Sequence, residues 1–435
     1  MKLYTKILIG MLAGIVVGYV YNVAGLGDLT IYTDWIGTVF INLVKMVVVP
    51  LVVVSLILGA ASLGDIGKVG KMGAKAFGFF MFTTAVAVAI GLAVANLVSP
   101  GTGLPQDKVD ALMAEYQDEA AGKTQTADAA NYQKEFEETN TAQKLFDLLV
   151  SFVPTNPLKA MTEGQMLGVI FFSLFLGICI TLIDPGKADN LIQFFDAMND
   201  AIIKMVTLAM ETAPYGVFAL MIGVVAKLGL GILGPLVLYA MAVVLGLLLH
   251  VVITHFSFIR FYVGQNPIQF LAAIKEAIVM AFSTSSSSAT LPISMNLAET
   301  NLGVSKQTAS FVLPLGATIN MDGTALYQAV AAIFIAQVFG FDLGLVDQLT
   351  IILTATLASV GAAGVPGAGM VTLALVLTTL NIPEAGIALI FGLDRILDMC
   401  RTTINIIGDL TLTIVMAKSE GENVMIRQDK DLIPG

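Results

Sequence analysis

Two stretches of this chain are apolar enough for a bilayer yet too short to cross one. Apolar helix is expected from Ile268 to Ala281, followed by Ser283-Thr284-Ser285-Ser286-Ser287-Ser288 and a second arm from Ala289 to Leu297. The plan recurs from Leu349 to Ser359, with the tip Gly361-Ala362-Ala363-Gly364-Val365-Pro366-Gly367-Ala368-Gly369 and a return arm from Val371 to Leu380. At about 1.5 Å of rise per residue, none of these arms covers the roughly 30 Å of hydrocarbon in a membrane. Each pair is expected to be a re-entrant helical hairpin. A non-helical tip at membrane depth is tolerated only where it lines protein or an aqueous cavity. Four glycines and a proline make the second tip a candidate gate.

A polar-interrupted helix follows each hairpin. The first, from Lys306 to about Phe339, contains Thr318-Ile319-Asn320-Met321-Asp322-Gly323-Thr324, where Gly323 and the short polar residues before it are expected to unwind the helix. Freed carbonyls beside Asp322 suit a small hard cation. The second carries Asp394, Asp398, Arg401, Asn405 and Asp409 between apolar flanks (Ala385 to Leu393 and Leu410 to Met416). At about 100° per residue these five share one stripe, with Thr402 at its edge. Each charge at the centre of a membrane helix costs roughly 2.5–3.5 kcal/mol on insertion scales, so the stripe must face protein, ions or a charged solute. A structural salt-bridge stripe would meet that demand. A stripe of both signs with a Thr and an Asn also matches a zwitterion carrying one extra charge. Thr318-Ile319-Asn320 is echoed by Thr403-Ile404-Asn405, and the hairpins start on opposite sides, so the repeats are inverted. Paired interrupted segments of this kind point to a transport site at the midplane.

Composition agrees. With 57% hydrophobic and only 12% charged residues, the chain is an all-α polytopic membrane protein. The net charge of −10 says little about partners because much of it sits in one loop, and no basic patch invites nucleic acid. Cys179 and Cys400 have neither disulfide-framework nor metal spacing. No Walker-type loop, His-Glu-x-x-His pair or Gly-x-Ser-x-Gly elbow occurs, which argues against an enzyme.

Before the hairpins, helices are expected at about Tyr4–Val23 (read as uncleaved), Trp35–Leu63 with Lys45 and Pro50 inside it, and Ala76–Val98. Gly10, Gly14 and Gly18, four residues apart, favour close helix packing. Lys68, Lys71 and Lys75 form a short basic loop that, with Lys2 and Lys6, places the N-terminus in the cytoplasm. An acidic extracytoplasmic loop follows, from Pro100 to about Lys144. Helix 4 is expected in two pieces, Leu145–Val153 and Met166–Ile183, broken near Pro154 and Pro157. Helix 5 covers about Leu191–Val225, where interruptions such as Asp196, Asn199, Asp200, Glu211 and Pro214 suggest a bent helix packed against protein, and helix 6 covers Leu233–Phe258, ending at Arg260. The two histidines, His250 and His255, have no carboxylate or Cys at ligand spacing and are read as structural.

Four ordered motifs carry a resemblance over nearly the whole chain outside the acidic loop: Ser285–Ser288; Asn320-Met321-Asp322-Gly323-Thr324; Gly364-Val365-Pro366-Gly367-Ala368-Gly369; and Asp398 with Arg401-Thr402 and Asn405. The chain resembles the dicarboxylate/amino acid:cation symporter family, which contains the glutamate and aspartate transporters. The resemblance implies eight transmembrane helices plus the two hairpins, in a homotrimer of the cell (inner or plasma) membrane with both termini cytoplasmic. It implies scaffold segments 1–75 and 145–228, and a transport domain of helix 3 (76–99) and 229–418. That domain would move as an elevator; 100–144 is the acidic loop and 419–435 a cytoplasmic tail. Asp398 would hold the solute's amino group and Arg401 its side-chain carboxylate, with Ser286, Ser287, Thr324, Val365, Gly369, Thr402 and Asn405 completing the pocket. Sodium ions, transported rather than catalytic, would sit at Gly316, Asn320, Asn405 and Asp409; at Thr318, Ser359 and Val360; and at Phe80, Thr83, Thr84, Asn320 and Asp322.

Three departures refine this. The family's further arginine is missing, since Ser285 and Met399 stand at its two usual places; Arg395 is a candidate substitute. Gln328 replaces the glutamate of relatives that carry a proton, which favours sodium. Ala362 replaces a threonine where a backbone carbonyl would serve as ligand. An Arg at 401 matches a carboxylate bidentately, and C4-dicarboxylate members lack the carboxylate that this chain has at Asp398. The expected function is sodium-coupled symport of aspartate and/or glutamate. The alternatives are proton-coupled glutamate/aspartate symport and an anion channel, although Asp322, Asp394, Asp398 and Asp409 would repel anions.

Overall fold

A computed structural model describes residues 3–26, 30–61, 68–103, 153–163, 166–360, 367–380, 382–383 and 386–426. The described residues are helical, with no strand among them. In chain order the helices are α1 (Leu3–Ala24), α2 (Ile31–Met46), α3 (Val48–Ala61), α4 (Lys68–Val98), α5 (Pro157–Glu163), α6 (Met166–Thr181), α7 (Pro185–Glu211), α8 (Ala213–Leu228) and α9 (Leu233–His250). There follow α10 (Pro267–Ala273), α11 (Lys275–Thr284), α12 (Ser287–Thr300), α13 (Lys306–Ile319), α14 (Asp322–Val338), α15 (Leu345–Val360), α16 (Ala368–Thr379) and α17 (Ile387–Ser419). Four helical stretches are long and apolar enough to cross a bilayer: 5–24, 72–98, 229–263 and 306–338, the last interrupted at Asn320 and Met321. Two further pairs, α7 with α8 and α10 with α11, qualify only as bent units, turned by 52° and 62°. The molecule is thus an all-helical membrane protein.

Several expectations change in detail. The second expected span is two helices, because Pro50 has no N–H for the Met46 carbonyl and its ring crowds that carbonyl, so the chain breaks at Val47. Lys68, Lys71 and Lys75 belong to the first turns of α4 rather than to a loop. Helix 6 continues past Arg260 to Val263 through wide π-helical turns at Val251–His255 and Phe258–Val263. The acidic stretch beyond Gly103 and positions 145–152 of the expected fourth helix lie outside the described residues.

The first hairpin is α11 packed on α12, with a tip of only two residues. Ser285 takes the left-handed conformation at φ 52°, and Ser286 caps α12 by accepting the Ala289 amide at 3.2 Å. The second, α15 against α16, has its tip at 361–366 outside the described residues. Between α13 and α14 the chain is extended at Asn320 and non-helical at Met321. Gly323 is not the break, as expected from the sequence, but sits in the first turn of α14. A Cβ there would lie 2.5 Å from the Arg401 carbonyl, so glycine lets α14 approach α17. Nor is the charged helix interrupted: α17 runs 33 residues straight through Thr403-Ile404-Asn405. Thr403 Oγ1 donates back to the Met399 carbonyl at 2.9 Å, so its hydroxyl is satisfied within the helix.

The core is the α13–α14 segment, of which α14 is buried almost throughout, with α4, α9, α15, α16 and α17 around it. At the periphery α1 lies along α8. Cβ atoms at Gly14 and Gly18 would meet the Phe218 and Ile222 carbonyls at 2.5 and 2.9 Å, and one at Gly10 would strike Pro214. The spacing of four is a packing seam. Ile9, Leu12, Val16 and Val20 on its other face are exposed, as lipid-facing residues are.

Candidate substrate and cation site

All five polar residues of the α17 stripe are buried: Asp394, Asp398, Arg401, Asn405 and Asp409. Arg401 is the centre of one group. Its Nη1 donates to Asp394 Oδ1 at 2.9 Å and its Nε to Asp398 Oδ1 at 3.0 Å. Nη2 lies 2.9 Å from the same Asp398 oxygen but makes no well-angled hydrogen bond, so that donor is left over. The guanidinium carbon sits 4.2 Å above the Tyr327 ring. A Cβ at Gly369 would stand 2.9 Å from that carbon, so glycine leaves α16 room for the guanidinium. Asp398 Oδ2 accepts the Gly367 amide at 3.1 Å and an Arg395 Nη1 at 3.4 Å.

One turn on, Asn405 ties α17 to the helix break. Its Oδ1 accepts the Gly323 amide at 2.8 Å, and its Nδ2 lies 3.4 Å from Thr324 Oγ1 and 3.2 Å from Met321 Sδ. Below it, Asn320 Nδ2 donates to Asp409 Oδ1 at 2.8 Å and to the Asn405 carbonyl at 3.1 Å, while Asn320 Oδ1 is buried with no donor. A Cβ at Gly316 would fall 2.6 Å from Asp409 Oδ1, so the backbone of α13 lies directly against that carboxylate. An orphaned amide oxygen, a buried carboxylate and backbone at a helix end form an oxygen-rich set fit for a hard monovalent cation.

Asp322 forms a third group. Thr84 Oγ1 donates to its Oδ1 at 2.6 Å and Thr83 Oγ1 at 3.3 Å, the latter also reaching the Phe80 carbonyl at 3.2 Å. Its Oδ2 lies 3.1 Å from His250 Nε2 and 3.8 Å from His255 Nε2.

Of the residues singled out from the sequence, the structure gathers Asp398, Arg401, Gly369, Asn405 and Thr324 into one connected cluster, with Arg395 beside Asp398. Thr402 is buried on the same helix; Ser286 and Ser287 are buried at the tip of the first hairpin, which packs on α17. Within two of the expected cation sets, Asp409 meets Asn320 and Asp322 meets Thr83 and Thr84. In the third, Thr318 bonds the Leu315 carbonyl of its own helix and Ser359 the Thr356 carbonyl of its own. Val360 ends α15, and Val365 and Ala362 lie outside the described residues. Gln328 donates to Thr372 Oγ1 on α16 at 2.5 Å. A cavity of about 450 Å³ opens elsewhere, between α3, α7, α12 and α13; Asp196, Asn199, Ser288 and Thr318 line it and Arg401 does not.

Sequence reasoning missed Tyr327 beneath Arg401 and the carboxylate beside the histidines. His250 and His255 do have a carboxylate neighbour, Asp322, supplied from 67 or more positions away and so invisible to local spacing.

A chain whose described residues form apolar helices that bury both signs of charge beside a helix break is organised as a membrane transporter, not an enzyme. The chain belongs to the sodium:dicarboxylate symporter family, whose model matches residues 3–419. It is 37% identical over 420 residues (96% of this chain, 93% of the relative) to a proton/sodium-glutamate symport protein of Bacillus subtilis. It is 36% identical over 419 residues (96% and 94%) to a protein of the same description from Geobacillus stearothermophilus. A C4-dicarboxylate transport protein of Bacillus subtilis is 34% identical over 425 residues (97% and 95%).

Proposed function

We propose that the chain is a sodium-coupled secondary active symporter of acidic amino acids, aspartate and/or glutamate. The observation that carries this reading is the pairing of Asp398 with Arg401 in one buried cluster. Two carboxylates and two guanidiniums (Asp394, Asp398, Arg395, Arg401) balance one another before a solute arrives. An acidic amino acid can take over both halves of a pair, its ammonium meeting Asp398 and its side-chain carboxylate the spare fork of Arg401. A C4-dicarboxylate has no ammonium for Asp398, and burying that charge unmatched is costly. Arg395, within 3.4 Å of Asp398, stands in for the family's further arginine.

Sodium is favoured by the oxygen donors around Asp409 and Asn320, and by Gln328, whose amide carries no titrating proton. The set of Thr318, Ser359 and Val360 is a further sodium position in the same reading. The eight-span, inverted-repeat topology, with the N- and C-termini in the cytoplasm, is part of the same reading. So is a trimer whose scaffold (residues 1–75 and 145–228) flanks an elevator domain. The glycine seam between α1 and α8 supports a rigid scaffold, and the cavity between α3 and α7 on one side and α12 and α13 on the other lies along the expected sliding boundary.

Uptake of labelled aspartate, glutamate and succinate into proteoliposomes tests the proposal. Under a sodium gradient the two amino acids should accumulate and succinate should not. Accumulation driven by a proton gradient alone would overturn the coupling, and preferred uptake of succinate would overturn the solute assignment.

A further inference from the structure

We propose that His250, His255 and Asp322 form a binding site for a divalent transition-metal ion of the zinc class, bridging α9 and its π-helical extension to α14. One ligand atom from each residue lies within 4.8 Å of the others, and all three side chains are buried.

The backbone is the first argument. In an α-helix, residues five apart point about 140° away from each other, so His255 would face away from whatever His250 faces. The wide turn at Val251–His255, closed by the Phe256 amide on the Val251 carbonyl, adds a residue to that turn and swings His255 back. The two rings end 4.7 Å apart, edge to face, beside one carboxylate. The second argument is that neither ring nitrogen of His255 has a hydrogen-bond partner, although the residue is only 1% exposed. A buried imidazole with two unanswered nitrogens is costly, and its Nε2 is turned toward Asp322.

Tetrahedral zinc at about 2.0–2.1 Å from N and O donors holds those donors about 3.3 Å apart; here the two His–Asp separations are 3.1 and 3.8 Å, and the two imidazole donors lie within 4.8 Å, so a bound ion would draw the rings together. Supporting bonds are already in place, with Thr254 Oγ1 3.1 Å from His250 Nδ1 and Thr84 Oγ1 2.6 Å from Asp322 Oδ1. A Cβ at Gly408 would come within 3.3 Å of the His255 ring, so glycine there leaves the ring its place. Two imidazoles and one carboxylate suit nitrogen-seeking divalent ions, whereas sodium takes oxygen donors. The site goes beyond the symport reading but shares the Asp322 carboxylate with one of its proposed sodium sets, so bound metal would cross-link two helices and compete with sodium for that carboxylate.

The test is direct binding to the purified full chain in nanodiscs, in sodium-free buffer, with Zn²⁺ alone and with Co²⁺ as a visible reporter. Wild type should bind one Zn²⁺ per chain, with Co²⁺ absorption in the intensity range of low coordination number. His255→Gln should weaken affinity at least tenfold. Zinc-edge X-ray absorption on wild type, which needs no variant to fold, should report two imidazoles and oxygen. An all-oxygen shell, or equal binding by His255→Gln, would overturn the site. Because the readout is binding, its failure is distinct from a failure of sodium-driven uptake.

Discussion

Two buried carboxylate groups on the same helix are treated differently. Around Asp394 and Asp398 the protein supplies its own countercharge, Arg401 within 3.0 Å and Arg395 within 3.4 Å. Around Asp409 and nearby Asp322, the described partners are an asparagine amide, threonine hydroxyls and histidine rings, with no arginine or lysine among them. An uncompensated carboxylate in a low-dielectric interior is expensive. The difference indicates a division of labour. On the proposed function, fixed guanidinium would stand where a net anionic solute must be matched, and the remaining negative charge would be left for mobile cations to neutralise.

The sharpest way to break that contrast is Arg401→Ala. Truncating one partner of a buried, hydrogen-bonded charge pair costs roughly 2–5 kcal/mol, so labelled aspartate uptake should fall at least thirtyfold. Stabilisation of the purified variant by sodium, read from thermal unfolding, should survive, because the Asp409 group does not include Arg401. Arg401→Lys should rescue little, since a point charge cannot replace the planar fork. Unchanged uptake would refute the pocket assignment.

Next in size is Asp409→Asn, which keeps shape and removes charge. The sodium concentration for half-maximal uptake should rise by about tenfold or more, while discrimination between aspartate and succinate stays as in wild type. Equal sodium dependence would end the claim that this carboxylate awaits a mobile cation. Smaller again is Gly323→Ala, which adds a methyl group 2.5 Å from the Arg401 carbonyl. Overpacking of this kind costs roughly 1–3 kcal/mol. Because backbone rather than a flexible side chain must move, both thermal stability and uptake should fall.

Much of the frame was legible because membrane helices advertise themselves by apolar length, and charges inside them by their cost. The hairpin arms, the stripe from Asp394 to Asp409 and the α1 glycine seam follow from such rules. What stayed hidden was tertiary. No local signal predicts that α9 widens into a π-helical turn, so His250 and His255 looked unpartnered when Asp322 was their neighbour. The echo of Thr318-Ile319-Asn320 at Thr403-Ile404-Asn405 was real in sequence but misleading in structure. The first copy breaks its helix at Asn320, whereas in the second Asn405 stays helical and turns its side chain onto Gly323. Pro50 did carry a usable signal for the α2–α3 break, overridden by the length of the apolar run around it.

The smallest expected effect lies at the water-facing end of the same helix, where a carboxylate has ordinary partners and no ion to wait for. Just past α17, Glu422 accepts from the Ser305 amide at 2.8 Å, from Ser305 Oγ at 2.8 Å and from Thr308 Oγ1 at 2.5 Å, clasping the start of α13. Partial burial pushes its carboxyl up, but the three donated bonds outweigh this and hold it below the usual glutamate range. A carboxylate with a depressed folded-state value stabilises the fold above its unfolded value of about 4.3. That stabilisation is lost as pH falls through the folded-state value. Solvent screening at this half-buried position keeps the effect small, about a degree or two in unfolding temperature. Wild type should therefore unfold slightly later than Glu422→Gln at pH 7, and the two curves should converge in acid below the glutamate range. A difference that grew on acidification would show the clasp to be held by something other than the ionised carboxylate. That would also weaken the contrast between carboxylates the protein satisfies itself and those it leaves to ions.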